Sequence, residues 1–523
     1  MKLIDDLRVG SELTFDITKK HPVYKQMAPI WRKCRDAYDG GESIKGGEEK
    51  YLDRLNKQPD AAYAKYLRRA QWYGATARTV QAYLGMLFRK DPVFKYHSLD
   101  RKPIDTDDIL RQGEEFFSLV TFDGKSIEDF LRTVVEEVLV INKLGILVDF
   151  PPLTGVDGKV VQMNQSQYEE RGLKPLLSAY KTEDIINWHW EVIENRIVPR
   201  FFVLAEESLD FSTSDSLVPE EVTNYRILYL QKTDMGYVYR QYIIEGVRSD
   251  DHTKKKKYKV TDIITPLDDG KPLDFIPFYT MTDKGLDYRD NTSSMIEGLV
   301  DMNIGHYRNS ADLENELHWV GIKTLYLAGW NEEVHGEVVL GGALAGPSNS
   351  IPHMIEPKSD SGIKDEMQSK EERMAVLGAE RIAQKGRYIP SAETARIGSE
   401  SENATLINMS KSLSVSISKI LTYQMAWAHN KTDGTIVDMQ LNIDFFDDNI
   451  TGKELLDWMG AAQNGGISFD TYFYNIQKKE GFPPNWTKEQ EAEKLQEGFP
   501  GGLPGNSDND IIDNDSSDED PVT

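Results

Sequence analysis

Cys34 stands among three bases, Arg32, Lys33 and Arg35, a setting in which positive charge lowers a thiol pKa and favours the reactive thiolate. It is the only cysteine of the chain, so neither an internal disulfide nor a cysteine-paired zinc site can be built on it. Because it falls inside the helical run PIWRKCRDAY, the expectation is a small packed residue and not a nucleophile. Asp508, Asp510, Asp513 and Asp515 have the density of a calcium loop, but they lack its mid-loop glycine and closing glutamate, which predicts a solvated acidic tail. Lys254 to Lys257, within DDHTKKKKYKV, carry charge enough for a nucleic-acid patch; their place between strand-like runs predicts a charged hairpin tip instead. No GxxxxGK[ST], GxGxxG or HExxH pattern occurs. Carboxylate pairs are frequent because the chain is acidic, and no spacing singles out an acid and a base.

The formal charge of −25 over 523 residues argues against a broad basic face that grips nucleic acid. The last 23 residues hold seven acids and no base, and without them the charge is still −18. MKLIDDLRVG turns acidic too early for a secretory signal, and no window has the eighteen apolar residues of a membrane span. A soluble protein with several domains is expected.

The elements that must position any site follow from periodicity. Tyr63, Leu67, Ala70, Trp72, Tyr73, Ala77, Val80 and Leu84 recur at helical spacing and predict one helix closed by Asp91-Pro92. SIEDFLRTVVEEVLVINKLG predicts a second, capped by Ser126 with Asp129 and ended at Gly145. Strand-like runs dominate from about residue 197 to 280. A long helix with a half-polar seam follows, with Asn303, His306 and Ser310 among Leu299, Leu313, Leu317 and Val320. After IKTLYLAGW and a glycine-rich insert, a second long helix carries Ile363, Met367, Lys370, Met374, Leu377 and Arg381.

A third long helix is expected from about Ala392 to Asn430, although SLSVSISKI within it alternates as a strand would. Leu406, Met409, Leu413, Ile417, Ile420, Gln424 and Trp427 keep helical spacing across the longer window, which decides for helix. Serines at 410, 412, 414, 416 and 418 then spread around several faces, where small side chains permit close approach of neighbours such as identical copies. MQLNIDFF predicts a strand, and two short helices precede a disordered acidic end.

In this order stand HPVYKQMAPIWRKCRDAYDGG, ARTVQAYLGMLFRKDP, GILVDFP, YKTEDIINW, FIPFYTM, DMNIGHYRNSADLENELHWVG, MAVLGAERI and SAETA, spanning roughly residues 21 to 430. Together they resemble tailed-bacteriophage portal proteins, the head-to-tail connectors, in a divergent family catalogued as a domain of unknown function. The resemblance implies a mixed α/β (α+β) fold. Residues 1–290 would form an α/β wing, 291–320 and 361–385 stem helices, and 321–360 a small α/β clip. A tunnel loop would follow at 386–395, a kinked long helix with a return strand at 396–451, a helical crown at 452–500, and a disordered tail at 501–523.

It further implies a homo-oligomeric ring, normally of twelve copies, without cofactor or catalysis, in the virion at the portal vertex after assembly in the host cytoplasm. Double-stranded DNA would pass through its channel during packaging and ejection. Terminase, a head-tail adaptor, and the major capsid and scaffolding proteins would be its partners, and no membrane is involved. Lys385, Gly386, Arg387 and Tyr388 would be the DNA-contacting loop, and Asn303, His306, Ser310 and Lys370 the polar channel and stem positions. The alternatives from the residues are a metal-dependent nucleic-acid-processing enzyme, or another non-catalytic phage assembly module.

Overall fold

A computed structural model describes residues 2–97, 113–150, 173–210, 218–234, 236–247, 257–268, 270–286, 293–320, 324–327, 352–355, 362–378, 392–429, 436–445, 452–478 and 487–497. They form a mixed α+β fold in two compact units, Met1–Ile443 and Asp444–Thr523. Among them no helix is long and apolar enough to cross a membrane. The acidic 501–523 segment, the Asp508 to Asp515 cluster and the 385–388 loop lie outside the described residues.

Besides the short helical turns Lys2–Asp5 and Gly41–Gly46, the first part of the first unit holds helices α1 (Pro22–Asp39), α2 (Asp60–Arg69), α3 (Ala75–Leu87) and α4 (Ile127–Ile141). Cys34 is fully buried on α1, and burial pushes its thiol up to about 11, so the packed reading holds and the reactive one does not. The single helix expected from Tyr63 to Leu84 is corrected to two. The chain breaks between them because the Gln71 N–H donates to Ser310 Oγ at 3.0 Å, and the same hydroxyl donates to Gln71 O at 2.8 Å. A side chain more than two hundred residues away thus takes both backbone groups that a continuous helix would have used.

Ser126 caps α4 as expected, accepting the Asp129 N–H at 3.2 Å. The helix ends earlier than Gly145, at Asn142, which adopts the left-handed conformation with φ 66°. Gly145 belongs instead to strand β2 (Leu144–Asp149), where the Phe278 ring covers it so closely that no Cβ would fit.

Strand β1 (Val93–His97) stands apart from two antiparallel sheets. The larger sheet takes β4 (Ile185–Ile193), β5 (Arg196–Asp210), β6 (Glu220–Thr233), β7 (Gly236–Val247) and β8 (Lys257–Ile264) in simple meander order. Pairing of β7 with β8 makes the predicted hairpin, although its lysine-rich tip at 248–256 lies outside the described residues. The smaller sheet runs in the order β10 (Gly285–Leu286), β9 (Phe278–Thr282), β2, β3 (Leu176–Lys181).

A knot of polar side chains ties the two sheets together. Tyr180 on β3 donates to Glu206 on β5 at 2.7 Å, and Arg226 on β6 holds the same carboxylate at 2.7 Å. Arg226 lies 3.7 Å from Asp149 on β2, which also accepts the Gln241 amide of β7 at 2.7 Å and the Phe150 N–H at 3.0 Å. Burial lifts the Asp149 carboxyl to about 6, against the pull of Arg226 and Gln241. Its proton is therefore held by the folded state up to about pH 6 and lost near pH 4 in the unfolded chain. The folded state then binds more protons across that window, so its stability rises as pH falls from 7 towards 4. Asp149→Asn is expected to remove about 1 kcal/mol of this pH dependence between pH 5 and pH 7, read from urea unfolding at the two values.

Beyond the sheets come α5 (Glu297–Val320), paired strands β11 (Thr324–Leu327) and β12 (Pro352–Ile355), α6 (Gly362–Leu377) and the 38-residue α7 (Ala392–His429). Helix therefore begins at Ala392, inside the 386–395 segment expected as loop, and continues unbroken to His429. Strand β13 (Ile436–Gln440) returns to pair with β1.

The serines of α7 close the free edge of β13. Thr422 Oγ1, Ser418 Oγ and Ser414 Oγ accept the N–H groups of Val437, Met439 and Leu441 at 3.0, 2.8 and 3.0 Å, and Ser410 Oγ donates to Asn442 O at 3.0 Å. Ser416, one face over, accepts the Leu286 N–H at 3.1 Å beside Gly285, whose φ of +98° favours glycine. The expectation that these serines serve close packing of identical copies is thus corrected: they are taken up by the chain's own strands.

The second unit contains α8 (Gly452–Gln463), α9 (Phe469–Lys478) and α10 (Lys488–Glu497). Phe473 and Ile476 are buried, while Leu456 and Tyr474 are exposed. Thr487 and Gln490 form a reciprocal capping box at the start of α10, with bonds of 3.2 and 2.9 Å. Lys488 pairs with Asp470 across from α9.

Candidate functional site: the paired long helices

The helices α5 and α6 lie antiparallel, joined at their far ends through the β11–β12 strand pair. At 1.5 Å per residue α5 extends on the order of 36 Å. One flank is fixed to α2 and its following turn: Tyr66 donates to Asp312 at 2.5 Å, Arg69 to Asn315 at 3.4 Å and Gln71 to Glu314 at 3.2 Å. Near its start Lys33 of α1 reaches Asp301 at 2.5 Å, and midway Arg308 donates to Tyr51 O at 2.9 Å.

The predicted polar positions of the seam turn inward. Asn303 is fully buried and donates to Thr76 Oγ1 at 3.0 Å. His306 is buried with Nε2 3.0 Å from Glu371 of α6 and its ring beside Tyr73. Ser310 is the bracket that holds the Gln71 backbone. Lys370, on α6, is half-buried and donates to Asn309 Oδ1 at 3.0 Å and Gly305 O at 3.4 Å. The half-polar seam, expected from a channel or a neighbouring copy, makes hydrogen bonds within one chain through Asn303 Nδ2, His306 Nε2, Ser310 Oγ and Lys370 Nζ, while Asn303 Oδ1 and His306 Nδ1 are buried without a partner among the described residues. The structure brings His306 and Lys370 together at the α5–α6 contact and Asn303 and Ser310 onto the α3 and α2 side.

Two exposed surfaces escaped the sequence reading. Met302, Ser369, Glu372, Arg373, Val376 and Leu377 line an open groove of ≈ 530 Å³ between α5 and α6. Val376 and Leu377 are 51% and 50% exposed, unusual for neighbouring apolar residues at a helix end. On α7, Val415 is 58% exposed between the exposed Lys411 and Lys419, although Leu413 and Ile417 beside it are buried. Periodicity alone hides such a residue, because Val415 sits within an apolar run; the readable signal was that residues 403–432 contain no Asp or Glu.

Among the described residues no three His, Cys, Asp or Glu side chains gather in a way that could hold a metal ion. Buried and half-buried carboxylates are committed to arginines: Asp36 to Arg32, Glu137 and Glu183 to Arg35, and Glu206 to Arg226.

Residues 295–428 match the family model described as DUF4055, Domain of unknown function, which is about a quarter of the chain. No curated protein matches it. Among solved structures the chain is similar to one in the neck of an empty GTA particle computed with C6 symmetry, at 10% identity and a TM-score of 0.35, covering 83% of this chain and 97% of that one. A chain in the neck of a native GTA particle computed with C12 symmetry has 11% identity and a TM-score of 0.36, covering 80% and 93%. A third, from the virion of a native gene transfer agent particle, has 10% identity and a TM-score of 0.35, covering 85% and 99%.

Proposed function

We propose that this chain is a portal-type subunit, twelve copies of which close into a ring at a capsid vertex. Its channel carries double-stranded DNA inward during packaging and outward during ejection, and the ring performs no catalysis of its own. The observation that carries the reading is the succession α5, β11–β12, α6, α7: two antiparallel long helices bridged at their far end by a strand pair, then a third long helix returning to the sheets. The eight ordered sequence segments that resemble portal proteins support it, and the polar seam no longer does.

In this reading the strand pair and its insert meet terminase and a head-tail adaptor, while the sheet-bearing body faces the major capsid and scaffolding proteins. Lys385, Gly386, Arg387 and Tyr388 form the loop that touches passing phosphates. The negative charge of the chain has a purpose here, since a wall dense in Lys and Arg would hold DNA by many counterion-releasing contacts. A predominantly acidic wall lets it slide.

Light scattering of the purified protein tests the reading. Twelve copies of 59.5 kDa give a narrow species of about 710 kDa, because cyclic closure stops growth at one size. A single particle of 59.5 kDa at every ionic strength would overturn it.

A further inference from the structure

We propose that the contact between neighbouring copies is made by the exposed face of α7 on one copy seated in the α5–α6 groove of the next, with Val415 inserted between Met302, Val376 and Leu377. The inference rests on the ring reading and adds the surface that makes the ring.

Charge argues for the pairing. A chain of net charge −25 repels its own copies, so a contact between them needs a face from which acids have been removed. Residues 403–432 are such a stretch, with Lys411, Lys419 and Lys431 and no acid. Helices α5 and α6 carry nine acids against four Lys and Arg, and although Asp301, Asp312, Glu314 and Glu371 are engaged within the chain, Glu372 stands at the groove as the counterpart for a lysine. The other acid-free run of the same length, residues 61–90, exposes Lys65 and Arg68 but no large apolar side chain, so it lacks a knob.

Shape argues likewise. Asn408, Lys411, Val415 and Lys419 share one exposed stripe of α7, at helical spacings of three and four. Lys411 lies one turn, about 6 Å, from Val415, within reach of a groove rim. Neither Lys411 nor Lys419 makes an ion pair among the described residues, and Glu372 at the groove has only the Gln368 amide, at 3.4 Å. With Val415 seated, Lys411 meets Glu372, and Arg373 donates to the Asn408 carbonyl. The two surfaces differ, so the contact is head-to-tail, the kind that generates rings when its rotation closes. A valine alone cannot supply the roughly 800 Å² per partner of a stable interface, so it fixes register within a larger contact.

Cross-linking tests the contact without background, because the buried Cys34 is inert. Val415→Cys with Leu377→Cys in the same chain, treated with a short bis-maleimide, should give a ladder of covalent multimers on denaturing gels, and each single variant none. Rings of full mass by light scattering with no ladder would overturn this contact and leave the ring reading standing. Monomers throughout would overturn both. As a second readout, Lys411→Glu or Glu372→Lys should each raise the assembly midpoint concentration roughly tenfold, and the two together should restore it. Additive losses in the double variant would overturn the pairing of Lys411 with Glu372.

Discussion

Arg35→Ala is expected to lower the unfolding free energy of the full chain by about 3–5 kcal/mol, measured from urea denaturation followed by tryptophan fluorescence. The guanidinium of Arg35, on α1, grips two carboxylates with both edges of its fork. It meets Glu183 at 2.6 and 2.9 Å and Glu137 of α4 at 2.6 and 3.2 Å. Glu137 is the more buried partner, with a side chain 11% exposed, and burial already raises its carboxyl above the ordinary range despite Arg35. Removing the arginine leaves two desolvated anions facing each other. The sign with pH follows from Glu137: without the arginine its buried carboxyl is held still further above the ordinary range, so the folded state takes up the proton first and the deficit should shrink on acidification. Arg35→Lys keeps one charge but not the double fork and should fall between. A variant as stable as the parent would show that α1 and α4 are held by their apolar contacts alone.

The second large effect is expected at the hydroxyl row of α7. Ser414→Ala with Ser418→Ala removes the acceptors of the Leu441 and Met439 N–H groups, leaving two buried donors unpaired. Each such orphan costs about 1–3 kcal/mol, so the pair should cost about 2–6 kcal/mol, reduced by a few tenths for the better helix propensity of alanine. Hydrogen exchange at Met439 and Leu441 should accelerate together, while amides on the β1 side of β13 keep their protection. Unchanged exchange at those two positions would mean that the strand edge does not depend on the hydroxyls.

Long-range order was legible where a pattern could accumulate. The three long helices were expected at 291–320, 361–385 and from about Ala392, and stand at Glu297–Val320, Gly362–Leu377 and Ala392–His429, because their periodicity runs over many turns. Ser126 announced α4 because a cap is a local event between residues three apart. The break before Gly74 was not legible: Trp72 and Tyr73 fit a helical stripe, and the group that interrupts it is Ser310. Gly145 misled as a helix stop for a similar reason, since what demands glycine there is the ring of Phe278 in another strand. Strand β4 went unread because INWHWE carries its polar residues inside a strand whose alternation two register shifts disturb.

The candidate site divides in the same way. Polarity on a long helix does not by itself say whether a partner comes from the same chain, from a copy or from water. For Asn303, His306 and Ser310 the partners are Thr76, Glu371 and Gln71 of the same chain. Val415 was overlooked because apolar residues in a helix are read as core, and only the fold shows one of them facing out.

The match of α7 to β13 has a built-in length limit. Residues four apart on a helix advance about 6.0 Å, whereas residues two apart on a strand advance about 6.6 Å, so the two scales slide past each other like the bars of a vernier. Over the steps from Thr422 to Ser410 the mismatch grows to roughly 2 Å, and the last contact is accordingly to a carbonyl at Asn442 and not to an amide in sequence with the others. A hydroxyl-lined helix can therefore shield only a short strand. Here β13 has five residues, short enough to be sealed along its length and withheld from edge-to-edge addition by any other chain.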